Sequence, residues 1–473
     1  MLFLIATYAL PQQVYICPSF KEPMTNSNTL WGHPKGLYIL FFTELWERFS
    51  YYGMRAILIL YLTAKTTDVN PGLGWDKVSA LELYGWYTMM VYVMSVPGGL
   101  LADRLLGQKK TVMLGGALLC VGHFILAFDA LWAFFTGISL IVLGVGALKP
   151  NISTMVGGLY KAGDGRRDTG FTIFYVGINI GAFSAPLLVG YLGEVINWHY
   201  GFGLAGIGMI IGQLVYIWGQ KYLKDVGNFI PIKKEEGSGK NIPLTKEEKD
   251  RLVVLFLSFI VVIVFWGAYE QAGGLMNLYA KEKINRVVWG FEVPASFLQS
   301  LHAFYVILIG APMAYFWVQW RKWGRENSSL FKMGMGTIVM GLGFLFLAGA
   351  AMETLESADG KAALWWMFAA YLLHVVGELS ISPVALSFIT KMAPAKYASF
   401  MMGAYFFVTG IGNKVAGLVG EAAQNAGELT IFMSVFAFCT VFGLALLLFV
   451  KKLKQLTHGA DEVKEKIAFV DPE

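Results

Sequence analysis

The sequence predicts an all-α membrane protein in which twelve transmembrane helices form two bundles of six. Of its 473 residues, 56% are hydrophobic and only 15% are charged, whereas about a quarter of the residues in a soluble domain are charged. Apolar runs long enough to cross a bilayer as helices recur along the whole chain. The twelve runs lie near 36–63, 79–103, 110–131, 133–159, 169–196, 200–222, 251–279, 297–320, 330–352, 364–391, 398–423 and 429–450.

The first apolar run is unusual because it contains four charged side chains, Glu44, Glu47, Arg48 and Arg55. On a helix, residues spaced by three, four and seven positions share one face, and Glu44, Arg48 and Arg55 have this spacing. An ionised side chain at the centre of a membrane helix costs about 2.5–3.5 kcal/mol on insertion scales. This face therefore cannot contact lipid, and we expect it to line a wet or paired interior.

The positions of Lys and Arg predict the orientation of the chain. They are concentrated in the connections that follow even-numbered helices, so the positive-inside rule places both termini in the cytoplasm. The longest connection, residues 221–251, is rich in Lys, Glu and Gly and is interpreted as a cytoplasmic linker. The predicted divisions are an N-terminal extension at 1–35, six-helix bundles at 36–223 and 251–453, a linker at 224–250 and a cytoplasmic tail at 454–473. Residues 1–23 lack the basic region and cleavage site of a signal peptide.

Composition and motif spacing exclude several classes of function. The cysteines at 17, 120 and 439 are far apart and show no metal-ligand or redox spacing, so no metal site is expected. The net charge of +5 comes from short loops and not from one basic face, so no nucleic acid is expected as a partner. Since no soluble domain and no Ser, His and acid arrangement is evident, a transporter is favoured over a membrane enzyme or a receptor-like sensor.

The connection after helix 2 carries a superfamily signature. Residues 98–110 read Gly-Gly-Leu-Leu-Ala-Asp-Arg-Leu-Leu-Gly-Gln-Lys-Lys. This run resembles the cytoplasmic loop signature of the major facilitator superfamily, with one extra residue before the second glycine of the signature. Two six-helix halves joined by a charged loop are also the plan of that superfamily. The resemblance implies a substrate site near the bilayer midplane, between the two halves.

Four further motifs resemble one family within that superfamily. Residues 44–53, Glu-Leu-Trp-Glu-Arg-Phe-Ser-Tyr-Tyr-Gly, match the Glu-x-x-Glu-Arg-Phe-x-Tyr-Tyr-Gly motif of proton-coupled oligopeptide transporters. Residues 171–183 are similar to the family's fifth-helix signature, residues 149–151 to its fourth-helix lysine, and residues 377–383 to its tenth-helix glutamate. The resemblance implies a proton-coupled symporter that imports di- and tripeptides across the cytoplasmic membrane by alternating access.

The chain also departs from the family pattern. Its linker has no room for the two additional helices that many bacterial members carry between the halves. Where the family often has Asn-Pro early in helix 8, this chain has His302-Ala303, and Tyr405 stands where helix 11 often has Trp. Both changes touch the expected pocket and therefore bear on specificity.

Opposite charges on different halves predict gates. Helices 1 and 7 run outward with Arg55 and Glu270 in their outer parts, so these two residues could pair across the outer mouth. Helices 4 and 10 run inward, and Lys149 and Glu378 lie near the middle of each, so they could pair across the interface between the halves. Each pair would close its side when it forms and open that side when it separates.

The embedded charges also predict where a proton travels. Four carboxylates face three cations, so at least one carboxylate lacks a cation and is the candidate proton carrier. The family resemblance implies proton coupling at Glu44, Glu47 and Glu270. The proton gradient would then supply the energy, and no cofactor is expected.

A peptide requires a site with a cationic and an anionic pole. By resemblance, Arg48 and Lys149 would hold the peptide carboxylate, Glu378 its amino terminus and Asn179 a backbone amide. His302 is interpreted either as structural or as a pocket residue in place of the usual Asn. The expected side-chain pockets are formed by aromatic residues, which accept varied side chains: Tyr52, Tyr87, Trp266, Tyr405 and Phe406.

One alternative keeps the fold and changes the cargo. Relatives of this family carry nitrate, drugs or other small metabolites, such as a modified amino acid. An anion carrier would favour a cationic pocket without a carboxylate opposite it, and Glu378 argues against that cargo. We therefore expect di- and tripeptides and protons as partners of a monomeric, multi-pass protein in the bilayer.

Overall fold

The computed structural model describes residues 29–161, 164–224, 226–229, 244–394 and 397–461. The predicted extension, linker and tail fall largely outside the described residues, and the domain boundaries remain predictions. Fourteen α-helices are formed within the described part of the chain: α1 Lys35–Thr63, α2 Lys77–Val93, α3 Ser95–Leu101, α4 Gln108–Leu126, α5 Leu131–Gly158, α6 Arg167–Tyr191, α7 Trp198–Gly219, α8 Lys246–Tyr269, α9 Leu275–Lys283, α10 Ser300–Lys322, α11 Ser329–Glu356, α12 Trp365–Met392, α13 Ala398–Ala426 and α14 Glu428–Leu456.

The remaining regular structure is short. Antiparallel pairs join β1 (Thr29–Leu30) to β2 (His33–Pro34) and β4 (Val287–Val288) to β5 (Phe291–Glu292), and a parallel pair joins β3 (Ile284–Asn285) to β6 (Ala362–Ala363). Single helical turns of other types extend several helices: π-helical turns at Ala102–Leu106 and Leu192–Ile196, and 3-10 turns at Gln220–Tyr222, Glu270–Ala272 and Ala295–Gln299. Short turns of these types are common at the ends of α-helices.

The helices account for the twelve predicted membrane spans. Ten helical stretches in the described residues are long and apolar enough to cross a membrane, and α1 and α13, each 29 residues long, are the other two long helices. The second span consists of α2 and α3, and the seventh consists of α8 and α9 with the 3-10 turn between them. The prediction of an all-α membrane protein is confirmed, although two of its spans are broken.

Helix α1 lies in the interior of the fold and packs against α6 and α7. Its four charged side chains, Glu44, Glu47, Arg48 and Arg55, are all buried, so they are shielded from the surface that faces lipid. Helices α2 and α13, which belong to different halves of the sequence, also pack closely. A Cβ on Gly85 would lie 3.1 Å from the Cα of Gly417, so the absence of side chains brings these two helices together.

The adjacent glycines Gly98 and Gly99 have different structural roles. A Cβ on Gly98 would collide with the carbonyl oxygen of Gly146 on α5, whereas a Cβ on Gly99 would meet no atom within 4 Å. We expect Gly98→Ala to destabilise the fold by about 1–3 kcal/mol because it overpacks this contact. Thermal unfolding in detergent would measure the change, with Gly99→Ala as the matched control. Equal unfolding temperatures for the two variants would contradict this account of the packing.

Candidate functional site

A central cavity lies between helices of the two halves. The empty space between its walls, including the part that is open to solvent, amounts to about 570 Å³. Its walls come from α1, α2 and α6 in the first half and from α8, α10 and α12 in the second. The lining residues are Tyr51, Tyr52, Arg55, Tyr92, Tyr175, Ile178, Asn179, Ala182, Trp266, Tyr269, Glu270, His302 and Glu378.

The charges near the start of α1 form a buried cluster next to this cavity. The Nε atom of Arg48 lies 2.9 Å from Oε1 of Glu44 and 2.5 Å from Oε2 of Glu47. All three residues are at most 3% exposed. Two carboxylates thus share one guanidinium, so the cluster is electrically neutral only when one carboxylate carries a proton.

Arg48 retains hydrogen-bonding capacity. Its Nη2 atom is buried and has no hydrogen-bond partner among the described residues. A buried guanidinium N–H group without a partner is costly, and an incoming carboxylate would satisfy it. The guanidinium also lies 5.6 Å from the ring centre of Tyr51, which lines the cavity.

Lys149 is placed on α5 behind the cavity wall. Its Nζ atom lies 4.0 Å from the ring centre of Tyr92, a cation–π distance. The predicted pairing of Lys149 with Glu378 is not found among the ion pairs of the described residues. Glu378 instead contacts Nε2 of His302 at 2.6 Å. In the described conformation, the His302 imidazole therefore makes the contact with the Glu378 carboxylate that was predicted for Lys149.

Arg55 and Glu270 do meet, and a third residue joins them. Nε of Arg55 lies 3.0 Å from Oε1 of Glu270 and donates to the hydroxyl of Tyr84 at 2.8 Å. That hydroxyl donates to Oε1 of Glu270 at 2.6 Å. Tyr84 was missed from the sequence, although it precedes Tyr87 by three positions and so shares a face of α2 with it.

The other predicted pocket residues occupy different positions. Asn179 and Trp266 line the cavity, and the amide nitrogen of Asn179 donates to the Tyr175 carbonyl at 2.9 Å. Tyr87 and Tyr405 are buried but lie outside the described lining of the cavity. The Tyr87 hydroxyl has no hydrogen-bond partner within the described part of the chain.

Several contacts join the two halves at one end of the bundle, which we call the closed end and define by residues 56–77, 193–197 and 277–296. Asn277 donates to the carbonyl oxygen of Ala56 at 2.9 Å, and Nζ of Lys77 lies 2.5 Å from Oε2 of Glu282. The Arg55–Tyr84–Glu270 triad lies next to these contacts in sequence. The closed end is therefore held by buried and exposed polar contacts together.

Glu194, which follows α6, contributes a further connection at the closed end. Its carboxylate accepts hydrogen bonds from the backbone N–H groups of Ala295 and Ser296, each at 3.1 Å, and from the Ser296 hydroxyl at 3.0 Å. A carboxylate at the first N–H groups of a helical turn is favourable. Here the carboxylate and the turn belong to different halves, so the contact ties them together.

We expect Glu194→Ala to loosen the closed end. Hydrogen bonds to a charged group contribute about 1.5–3 kcal/mol, so the ratio of closed to open molecules should fall by about tenfold or more. The rate at which a thiol crosslinker joins cysteines placed at Lys77 and Glu282, both about one third exposed, would report it. Glu292→Ala is the control for loss of a carboxylate at this end, because Glu292 contacts Arg286 within the same half at 2.9 Å, whereas Glu194 lies 4.0 Å from that arginine. Equal rates for both variants and the parent would contradict this role of Glu194.

Comparison with known proteins assigns the family. A family model described as the POT family matches residues 109–232 and 232–429. The chain belongs to the POT family. It is 33% identical to the Yersinia enterocolitica peptide transporter YePEPT, over 87% of this chain and 92% of that protein. It is also 33% identical to a di-/tripeptide transporter of Lactococcus lactis subsp. cremoris, over 90% of this chain and 97% of that protein.

Solved structures of POT transporters have the same fold. The crystal structure of a peptide transporter POT in complex with sulfate is 33% identical, has a TM-score of 0.84, and matches 90% of this chain and 96% of that chain. A POT family transporter in complex with 5-aminolevulinic acid is 28% identical, has a TM-score of 0.82, and matches 90% of this chain and 98% of that chain. This POT family member is therefore a membrane transporter by fold and family, and not an enzyme.

Proposed function

We propose that this POT family member is a proton-coupled symporter that imports di- and tripeptides across the cytoplasmic membrane by alternating access. The observation that carries the proposal is a cavity between the two halves with opposite poles. Glu378 lines the cavity from the second half. In the first half, the cations Arg48 and Lys149 contact the rings of Tyr51 and Tyr92, which line the cavity. A short peptide is a zwitterion whose two ends match such poles.

The buried cluster on α1 supports coupling between peptide and proton. A peptide carboxylate that approaches Arg48 competes with Glu44 and Glu47 for one guanidinium. A proton on one of these carboxylates weakens its hold on Arg48 and releases N–H groups for the substrate. Proton and peptide then bind more favourably together than either does alone, which is the linkage that a symporter requires.

The Arg55–Tyr84–Glu270 triad next to the closed end supports a gate that responds to protons. A proton on Glu270 removes the charge that holds Arg55, and the Tyr84 hydroxyl then loses its charged acceptor. The closed end would separate while the opposite end closes, with Lys149 and Glu378 approaching each other in that second state. With both termini in the cytoplasm, the closed end faces the exterior and the described conformation is closed to the outside.

Competition for uptake tests the choice of substrate. Dialanine should inhibit uptake of a labelled dipeptide strongly, and nitrate should not. A second candidate cargo is another small zwitterion, because a related POT structure holds 5-aminolevulinic acid. Stronger inhibition by 5-aminolevulinic acid than by any di- or tripeptide would replace peptides with that class of cargo.

A further inference from the structure

His302 makes two contacts through a single nitrogen atom. Its Nε2 lies 2.6 Å from Oε2 of Glu378 and 2.9 Å from the hydroxyl of Tyr269. The imidazole also packs edge-on against the Tyr269 ring, with 5.2 Å between ring centres. Side-chain exposures of 21% for His302 and 12% for Glu378, together with the cavity lining, show that the pair is accessible from the central cavity.

The short contact fixes the position of a proton. Two lone pairs at 2.6 Å would repel each other, so a hydrogen must lie between the imidazole nitrogen and the carboxylate oxygen. In this arrangement the pair holds at least one proton. A second proton on the other ring nitrogen converts the pair into an imidazolium and a carboxylate, which is a charge-assisted contact of the stronger kind.

Several other ionisable groups surround this pair, and their own contacts identify Glu378 as the partner of His302. Arg55 and Glu270 neutralise each other at 3.0 Å, so neither is available to His302. The other titratable groups near the pair are tyrosines, and one further buried histidine lies a helical turn before Glu378. The titratable and charged residues that surround the pair are Tyr51, Tyr52 and Arg55 on α1, Tyr92 on α2, Tyr175 on α6, Tyr269 on α8, Glu270 in the following 3-10 turn, Tyr371, His374 and Glu378 on α12, and Tyr405 on α13.

We propose that His302 is an internal substitute for the amino group of the substrate: it occupies Glu378 in the empty transporter, is displaced by the peptide ammonium, and then releases a proton. This step rests on the proposed peptide function. When the ammonium reaches the Glu378 carboxylate, the imidazolium faces a second cation and shares a single counter-charge. Its N–H bond breaks, the proton passes to water in the cavity, and the electron pair stays on the neutral imidazole. The number of protons bound at this pole therefore falls as peptide binds, independently of the protons taken up at the α1 cluster.

Calorimetric titration of the detergent-purified full-length protein with dialanine counts these protons. Binding heats measured in buffers of different ionisation enthalpy give the number of protons exchanged per peptide, and the titrations should cover about pH 5 to 8, where histidine side chains change charge. We expect His302→Asn and His302→Gln to release fewer protons than the parent protein, by up to about one proton per peptide at the lower end of this range. Using two variants keeps the test decisive if one of them fails to fold.

Three outcomes are distinguishable. A smaller proton release in the variants, with dialanine still bound, supports the exchange of His302 for the peptide ammonium. An identical proton count in the parent protein and in both variants across the pH range overturns it and leaves the peptide function standing. Absence of any binding heat or competition with di- and tripeptides in the parent protein overturns the peptide function, and the His302 exchange with it.

Discussion

Replacement of Glu47 by glutamine is expected to abolish peptide uptake driven by a pH gradient while sparing the exchange of peptide for peptide. Glutamine keeps the size of the side chain and its oxygen acceptor for Arg48, but an amide cannot carry a proton across the membrane. Exchange requires only binding and reorientation with peptide bound, and no net proton movement. Reconstituted vesicles loaded with unlabelled dialanine would measure exchange, and vesicles with an imposed pH gradient would measure driven uptake.

Glu47→Asp is the control for this experiment. It restores an ionisable group at the same position, so gradient-driven uptake should return in part. If Glu47→Gln eliminated exchange as well as driven uptake, the carboxylate would be a structural partner of Arg48 and not a proton carrier. Glu47 is 0% exposed, and removal of one partner of a buried ion pair lowers the stability of a protein. Loss of both activities would therefore follow if the variant were poorly folded. Thermal unfolding of the variant in detergent separates the two explanations.

Replacement of Glu378 by glutamine is expected to weaken binding of peptides with a free amino terminus by about 10- to 100-fold. A hydrogen bond that involves charged groups contributes about 1.5–3 kcal/mol, and about 1.4 kcal/mol corresponds to a factor of ten. N-acetylated dialanine has no ammonium group, so its weaker binding should change little in the same variant. Competition against a labelled dipeptide gives both affinities. An equal loss for acetylated and free peptides would show that Glu378 does not contact the amino terminus.

The helices and one of the two predicted ion pairs could be derived from the sequence because both depend on position along the chain. The thickness of a bilayer sets the length of an apolar helix. The direction of each helix then gives the depth of a charge, and Arg55 and Glu270 indeed meet at 3.0 Å. The same reasoning did not reveal the break between α2 and α3, which falls at Met94 inside an apolar run. It also missed the break between α8 and α9, because Glu270 was interpreted as a charge within one continuous helix.

Rotation of a helix about its axis is not determined by the depth of its residues, so depth alone does not identify the partner of a charge. In the described conformation His302 on α10 contacts the Glu378 carboxylate, and the pairing of Lys149 with Glu378 remains a prediction for the second state. Glu194 was missed because a single carboxylate near a helix end is ordinarily solvated. Its partners include the backbone N–H groups of Ala295 and Ser296, and no sequence pattern indicates which backbone groups a side chain will reach.

The energy source is tested most directly by uptake of labelled dialanine into vesicles that contain the purified protein, with an imposed pH gradient. With an acidic exterior and an alkaline interior, dialanine should accumulate inside above its external concentration. A protonophore should collapse that accumulation to the equilibrium level. Uptake that reaches the same level with and without the gradient would contradict the claim that protons drive this transporter.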